Sequence, residues 1–262
     1  MTAATGVRRA FHGEWTKLRT VPGQVWTVVS LAGAMVAFTA LIAASAGEGE
    51  EGVLAPTALS LSGVYLAQTA AALVAVAVVC SEYPRMMATT LAANPRRTTV
   101  FLAKAAVVAA TVSAAALPAV AGSVAAGRAV MAADSGDSAA FAQLPYSSHV
   151  LWRAAGGTVV YLLLVALLSI GVALVVRQAA SAAGAVMALL YGPYLATLII
   201  DMPDHVLARV RQLSPMTAGL AVQTTTGTGT APLAPWTGIG VLAAYAGGAL
   251  VLGWTALRWR DA

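Results

Sequence analysis

The chain has 262 residues, of which 59% are apolar and only 10% charged, a balance that a soluble domain of this size rarely shows. Its net charge of +5 would suit nucleic acid in a soluble chain. Here the basic residues flank apolar runs and fit anionic lipid headgroups, so no nucleic-acid partner is expected. Cys80 is the single cysteine, which excludes an intrachain disulfide and a thiolate metal cluster.

Charge is clustered as well as scarce. Uncharged stretches run over Thr20–Gly47, Gly52–Ser81, Ala105–Gly127, Ala154–Val176, Gln178–Ile200 and Gln212–Leu257, each able to hold a span of about 20 residues. One Arg or Asp at mid-span costs roughly 2.5–3.5 kcal/mol against about 0.3–0.6 gained per Leu, Ile or Val, so a charge-free gap is a strong signal. The predicted fold is all-α, a polytopic membrane protein with six transmembrane helices near Gln24–Ala46, Ala58–Cys80, Ala105–Val124, Ala154–Val176, Ala179–Ile199 and Pro235–Leu257. Residues 1–262 form one membrane domain.

Ahead of the first span, Val7, Phe11, Trp15 and Leu18 recur at helical spacing with Arg8, Arg9, His12 and Lys17 between them. Residues 1–22 are therefore expected to form an amphipathic helix in the headgroup layer, with Trp15 at the apolar boundary and Pro22-Gly23 supplying the bend into the membrane. Arg8, Arg9, Lys17 and Arg19 ahead of the span and the small residues Ala44-Ser45-Ala46 after it resemble a signal peptide, but the apolar run is longer than the ~7–15 residues of such a segment. The stretch is read as a retained span.

Ser81 to Arg97, between spans two and three, is read as a short helix with marked ends. Ser81 suits the cap, Pro84 the first turn, Glu82 the positive end of the helix dipole, and Asn94-Pro95 the stop. Tyr83, Met87 and Leu91 share one face, and Met86 and Met87 give an adaptable apolar surface beside Arg85. Arg96 and Arg97 follow, suited to lipid phosphate or to a partner.

Six spans put both termini on one side together with Arg8, Arg9, Lys17, Arg19, Arg85, Arg96, Arg97, Lys104, Arg177, Arg258 and Arg260. Only Arg128, Arg153, Arg209 and Arg211 fall opposite. Excess Lys and Arg mark the cytoplasmic side, so both termini are expected inside and the connections 125–153 and 201–234 outside. The Thr- and Gly-rich tract 224–230 is expected to be an exposed loop. Pro118 and Pro193 fall within spans, where proline is tolerated.

No Asp, Glu, Lys, Arg or His lies inside the six predicted spans, so neither an intramembrane enzyme nor an ion-coupled carrier has the titrating group it needs. His12, His149 and His205 lack metal-site spacing, and the acidic pairs Asp134/Asp137 and Asp201/Asp204 have no catalytic companions. Neither lysine follows glycine, so no Gly-Lys phosphate loop exists and the chain is not expected to hydrolyse ATP itself.

Glu14-Trp15-Thr16-Lys17-Leu18-Arg19-Thr20 resembles the segment that opens many bacterial ATP-binding-cassette type-2 permeases just before their first transmembrane helix. Ser81-Glu82-Tyr83, Thr90-Leu91-Ala92 and Pro95-Arg96-Arg97 are similar to that family's first cytoplasmic loop, its coupling helix. This chain departs from the pattern at Pro84-Arg85-Met86-Met87, where relatives have a small, Gly-containing stretch. Leu213 to Gly219 resembles the family's external loop between helices five and six.

The resemblance implies a permease subunit in a bacterial plasma membrane. It would pair with itself or a homologous permease and move an amphipathic or hydrophobic substrate outward. It would carry no cofactor of its own, ATP and magnesium residing in a partner cytosolic ATPase. Glu82, Tyr83, Arg85, Met86, Met87 and Leu91 would contact that ATPase, while Phe11, Glu14, Trp15, Lys17, Leu18 and Arg19 would lie in the interfacial helix. The alternative is a structural or regulatory membrane protein that docks a partner through the same loop without transport.

Overall fold

The computed structural model describes residue 16 and residues 22–45, 56–81, 97–134, 148–224 and 233–259. These residues are helical with short turns, and no strand occurs among them. In chain order the helices are α1 (Pro22–Ser45), the single turn α2 (Pro56–Leu59), α3 (Val64–Cys80), α4 (Arg97–Asp134), α5 (Ser148–Val176) and α6 (Ala179–Ile199). After these come α7 (Asp204–Leu213), α8 (Pro215–Leu220), a 3-10 turn (Ala221–Gln223) and α9 (Pro235–Trp259).

Four stretches are long and apolar enough to cross a membrane: Phe101–Val130, His149–Val176, Ala179–Ile199 and Pro235–Trp259. Two shorter apolar helices, Val29–Ser45 and Val64–Cys80, accompany them. α3 begins later than expected because its leading end is wound more tightly: Leu61, Ser62 and Val64 donate to carbonyls three residues back, at Ala58, Leu59 and Leu61. Such 3-10 winding is common at a helix terminus.

α4 departs most from expectation. Its 38 residues reach ~57 Å at 1.5 Å per residue, well beyond a hydrocarbon layer of about 30 Å. It continues through residues 125–134 of the segment expected to be a loop, and α5 already begins at Ser148. Lys104, placed outside the third span by its charge, lies within this helix at 2% exposure and is not without a partner. A lysine about 10 Å from a helix end can bury its stem while its ammonium seeks polar company, which a rule based on charge-free gaps does not see. Pro118 and Pro193 are accommodated inside α4 and α6, and Pro22 and Gly23 are the first residues of α1.

The core is built where helix backbones approach closely. α5 and α9 run parallel, with Gly171 against Ala249 and Gly253 and, further along both helices, Arg177 against Ala256. A Cβ added at Gly171 would stand 2.3 Å from the Ala249 carbonyl carbon, and one at Gly253 would stand 2.9 Å from the Gly171 carbonyl oxygen. On the other flank α1 and α4 meet at a buried hydroxyl pair, Thr39 Oγ1 and Ser123 Oγ, 2.6 Å apart. Gly63 donates its amide to Thr39 Oγ1, and Ser123 donates to the Ser60 carbonyl. The turn before α3 is thereby tied to both helices.

Outward-facing side chains are those that lipid would cover. Leu41, Leu117, Leu195, Val251 and Leu252 are exposed along the helices, while the exposed Trp26, Trp152, Trp236 and Trp259 lie close to helix ends. Aliphatic shafts with tryptophan at the ends form the pattern of an interfacial aromatic belt. Over its described residues the protein is an all-helical, membrane-embedded bundle.

Candidate functional site

Glu82, Tyr83, Arg85, Met86, Met87 and Leu91, which the sequence suggests for partner contact, lie outside the described residues, as do Phe11, Glu14, Trp15, Lys17, Leu18, Arg19 and Arg96. Arg97 is the first residue of α4 and Ser81 closes α3, so the undescribed segment joins two apolar helices directly. Thr16 is helical and exposed.

The structure brings together a different set of residues. α8 and the 3-10 turn after it, placed by the sequence in a loop, are buried: Pro215, Met216, Ala218 and Gly219 in the helix and Ala221, Val222 and Gln223 in the turn. Proline at the first position of α8 suits a helix start, and the segment then packs as a plug against α5, α6 and α9, with Gln68 of α3 touching Met216.

Three glycines make that seat. A Cβ at Gly238 would stand 1.9 Å from the Ala218 carbonyl oxygen, one at Gly157 would meet Val222, and one at Gly219 would press on the Tyr161 ring at 2.6 Å. Backbone approach this close is open only to glycine.

Neutral polar groups lock the plug in place. The Tyr161 hydroxyl donates to Gln68 Oε1, and Gln68 Nε2 donates to the Met216 thioether at 3.5 Å. All three side chains are buried, so one chain of contacts joins α5, α3 and α8. At the plug's far edge Gln223 Nε2 donates to Thr158 Oγ1 at 2.8 Å, and Thr158 donates to the Ala154 carbonyl. Arg153 donates to the Thr224 carbonyl at 2.8 Å. The Ser214 hydroxyl, at the join of α7 and α8, is buried without a hydrogen-bond partner.

A second polar cluster lies beside the first, between α3 and α6. Tyr191 donates to the Tyr65 carbonyl at 2.6 Å, and its hydroxyl is 2.8 Å from Thr69 Oγ1. At the opposite end of the bundle Arg177 holds a left-handed backbone with φ of 65° and donates to the Ala256 carbonyl at 3.1 Å. Its charge thus meets the last turn of α9, where cations are favoured. Arg258 stacks 5.3 Å from the Trp254 ring centroid nearby.

Chemically these clusters hold and orient the helices that carry them. Among the described residues no three His, Cys, Asp or Glu side chains converge as a metal site, and His149, His205, Asp201 and Asp204 are exposed. Gln68 and Tyr161 escaped the sequence analysis because charges mark spans whereas single neutral polar residues do not. The available signal was an amide and a phenol within apolar runs, where a buried polar group needs a partner. Compared with known proteins, the chain matches no protein-family model and no curated sequence.

Proposed function

We propose that the chain is the membrane-spanning permease subunit of an ATP-driven exporter, with six spans, both ends in the cytoplasm of a bacterial cell and a separate ATPase subunit as its motor. The observation that carries the reading is the pairing of Ser81-Glu82-Tyr83 with Pro95-Arg96-Arg97 across one short connection between apolar helices.

Helix lengths support six spans. α1 has 24 residues, about 36 Å at 1.5 Å per residue. α3 has 17, about 26 Å by the same rise, and the tightly wound residues ahead of it extend its reach.

In mechanism, closure of the ATPase subunits would press on the segment from Glu82 to Leu91. That segment joins α3 to α4, and α3 carries Gln68, so the push would reach the plug through the Gln68–Tyr161–Met216 contacts. Such a device needs two packings of the same helices that ATP binding biases.

Co-purification of the native complex tests the proposal. An ATPase subunit should accompany the chain, and Glu82→Ala with Tyr83→Ala should release it or uncouple its hydrolysis. A chain that purifies with no ATPase, or variants that leave hydrolysis unchanged, would favour the structural or regulatory alternative.

A further inference from the structure

The segment expected to be a loop after α6 contains α7, ten residues from Asp204 to Leu213, none of them buried. At about 100° per residue, Val206, Leu207, Val210 and Leu213 fall in one arc. Arg209 lies on one edge of that arc and Arg211 on the other, while Asp204, His205 and Gln212 lie opposite.

Among the described residues α7 packs mainly against its neighbours α6 and α8, with Leu207 and Val210 half-buried, Val206 exposed and Leu213 58% exposed. The end of α6 is equally bare: Leu198, Ile199 and Ile200 are exposed, Ile199 to 80%. Only Ile200 to Pro203 separate the two helices, a reach of at most about 14 Å. α7 therefore stays at the membrane boundary where α6 emerges.

We propose that α7 lies in the headgroup layer on that side, with Val206 and Leu213 among acyl chains and Arg209 and Arg211 bound to phospholipid phosphate. An apolar arc bordered by two cations matches the layering of a leaflet, with acyl chains beneath and phosphate at the edge. Continuity with the bare apolar end of a spanning helix supplies the surface.

Because Ser214 alone separates α7 from α8, lipid held by α7 would also position the plug. The proposal rests on the membrane embedding of the bundle and is independent of transport.

The full-length chain carrying Cys80→Ala, and one of Val206→Cys, Leu213→Cys, His205→Cys or Val251→Cys, would be labelled with a fluorophore. Each would be reconstituted in vesicles of phosphatidylcholine with or without phosphatidylglycerol. Labels at 206 and 213 should be quenched several-fold more by a lipid-borne nitroxide than by aqueous iodide, and the label at 205 the reverse. Phosphatidylglycerol should deepen the lipid quenching, and Arg209→Gln with Arg211→Gln should abolish that increment.

Iodide quenching at 206 and 213 equal to that at 205 would overturn the proposal. Protection from both quenchers would overturn it too, since protein would then cover the face. An increment that survives loss of both arginines would remove their assignment. The Val251 label, on an exposed position of α9, is the control: iodide quenching there would show that the embedding itself had failed.

Discussion

The contacts of α9 with α5 and α8 and the face of α6 look alike in sequence and are opposite in structure. Both are rich in Ala and Gly, yet Gly171, Gly238 and Gly253 lie against backbone, whereas Gly184 and Gly192 have nothing within 4 Å of an added Cβ. A small residue permits close approach without requiring it, so the helices that are locked and the helix that is bare have to be separated by geometry.

The largest effects should come from filling the locked side. Gly238→Ala forces a Cβ onto the Ala218 carbonyl oxygen and Gly171→Ala onto Ala249. Each should lower stability by roughly 1–3 kcal/mol, the usual range for overpacking, as a drop in the thermal midpoint of the purified chain. Gly184→Ala, on the bare face, should be neutral or raise stability by up to about 1 kcal/mol, since alanine is the better helix former. Equal losses at Gly184 and Gly238 would break the comparison.

Next in size is the plug's polar latch. Tyr161→Phe leaves Gln68 Oε1 without the donor it has in the native chain, costing roughly 1–3 kcal/mol for a buried unsatisfied group. The double variant Gln68→Leu with Tyr161→Phe should recover part of that loss, a coupling that a double-mutant cycle reads directly.

Arg177 offers a finer test. Both alanine and glycine lose the side-chain bond to Ala256, but only alanine is left in an unfavourable left-handed backbone. Arg177→Ala should therefore be about 1 kcal/mol less stable than Arg177→Gly. The smallest effect is expected at the edge of the bare face. Tyr191→Phe removes a part-buried hydroxyl shared with Thr69 and the Tyr65 carbonyl and should cost about 0.6 kcal/mol, typical of hydrogen bonds between membrane helices.

How far the sequence carried these assignments depended on the type of signal. Long charge-free runs placed α6 and α9 to within two residues and the end of α5, whose start lies six residues earlier than expected, because the penalty for a charge in hydrocarbon is large and local. The same rule stopped short in α4: it cut the span at Lys104 and treated residues 125–134 as loop, although the helix continues through both. Neither the buried lysine nor the extra turns beyond the apolar run leave a mark in the spacing of charges.

The plug was not legible for a different reason. Pro215 to Gln223 has turn-forming residues and sits in a weakly apolar stretch, and its burial depends on Gly157 and Gly238, which lie in other helices. α7, by contrast, carries a visible amphipathic period that the reading of 201–234 as one loop passed over. The residues from Glu82 to Leu91, expected to contact a partner from their capping signals, their shared apolar face and the family resemblance, lie outside the described residues.

Everything assigned to an ATPase partner requires that the connection between α3 and α4 face the cytoplasm. Glu50→Cys and Arg96→Cys, each in a Cys80→Ala chain, would be treated in intact cells with a membrane-impermeant thiol reagent. The account predicts that the cysteine at 50 reacts while the one at 96 reacts only after the membrane is permeabilised. Reaction at 96 with protection at 50 would put the connection outside, beyond the reach of any cytosolic ATPase, and would contradict the proposed function.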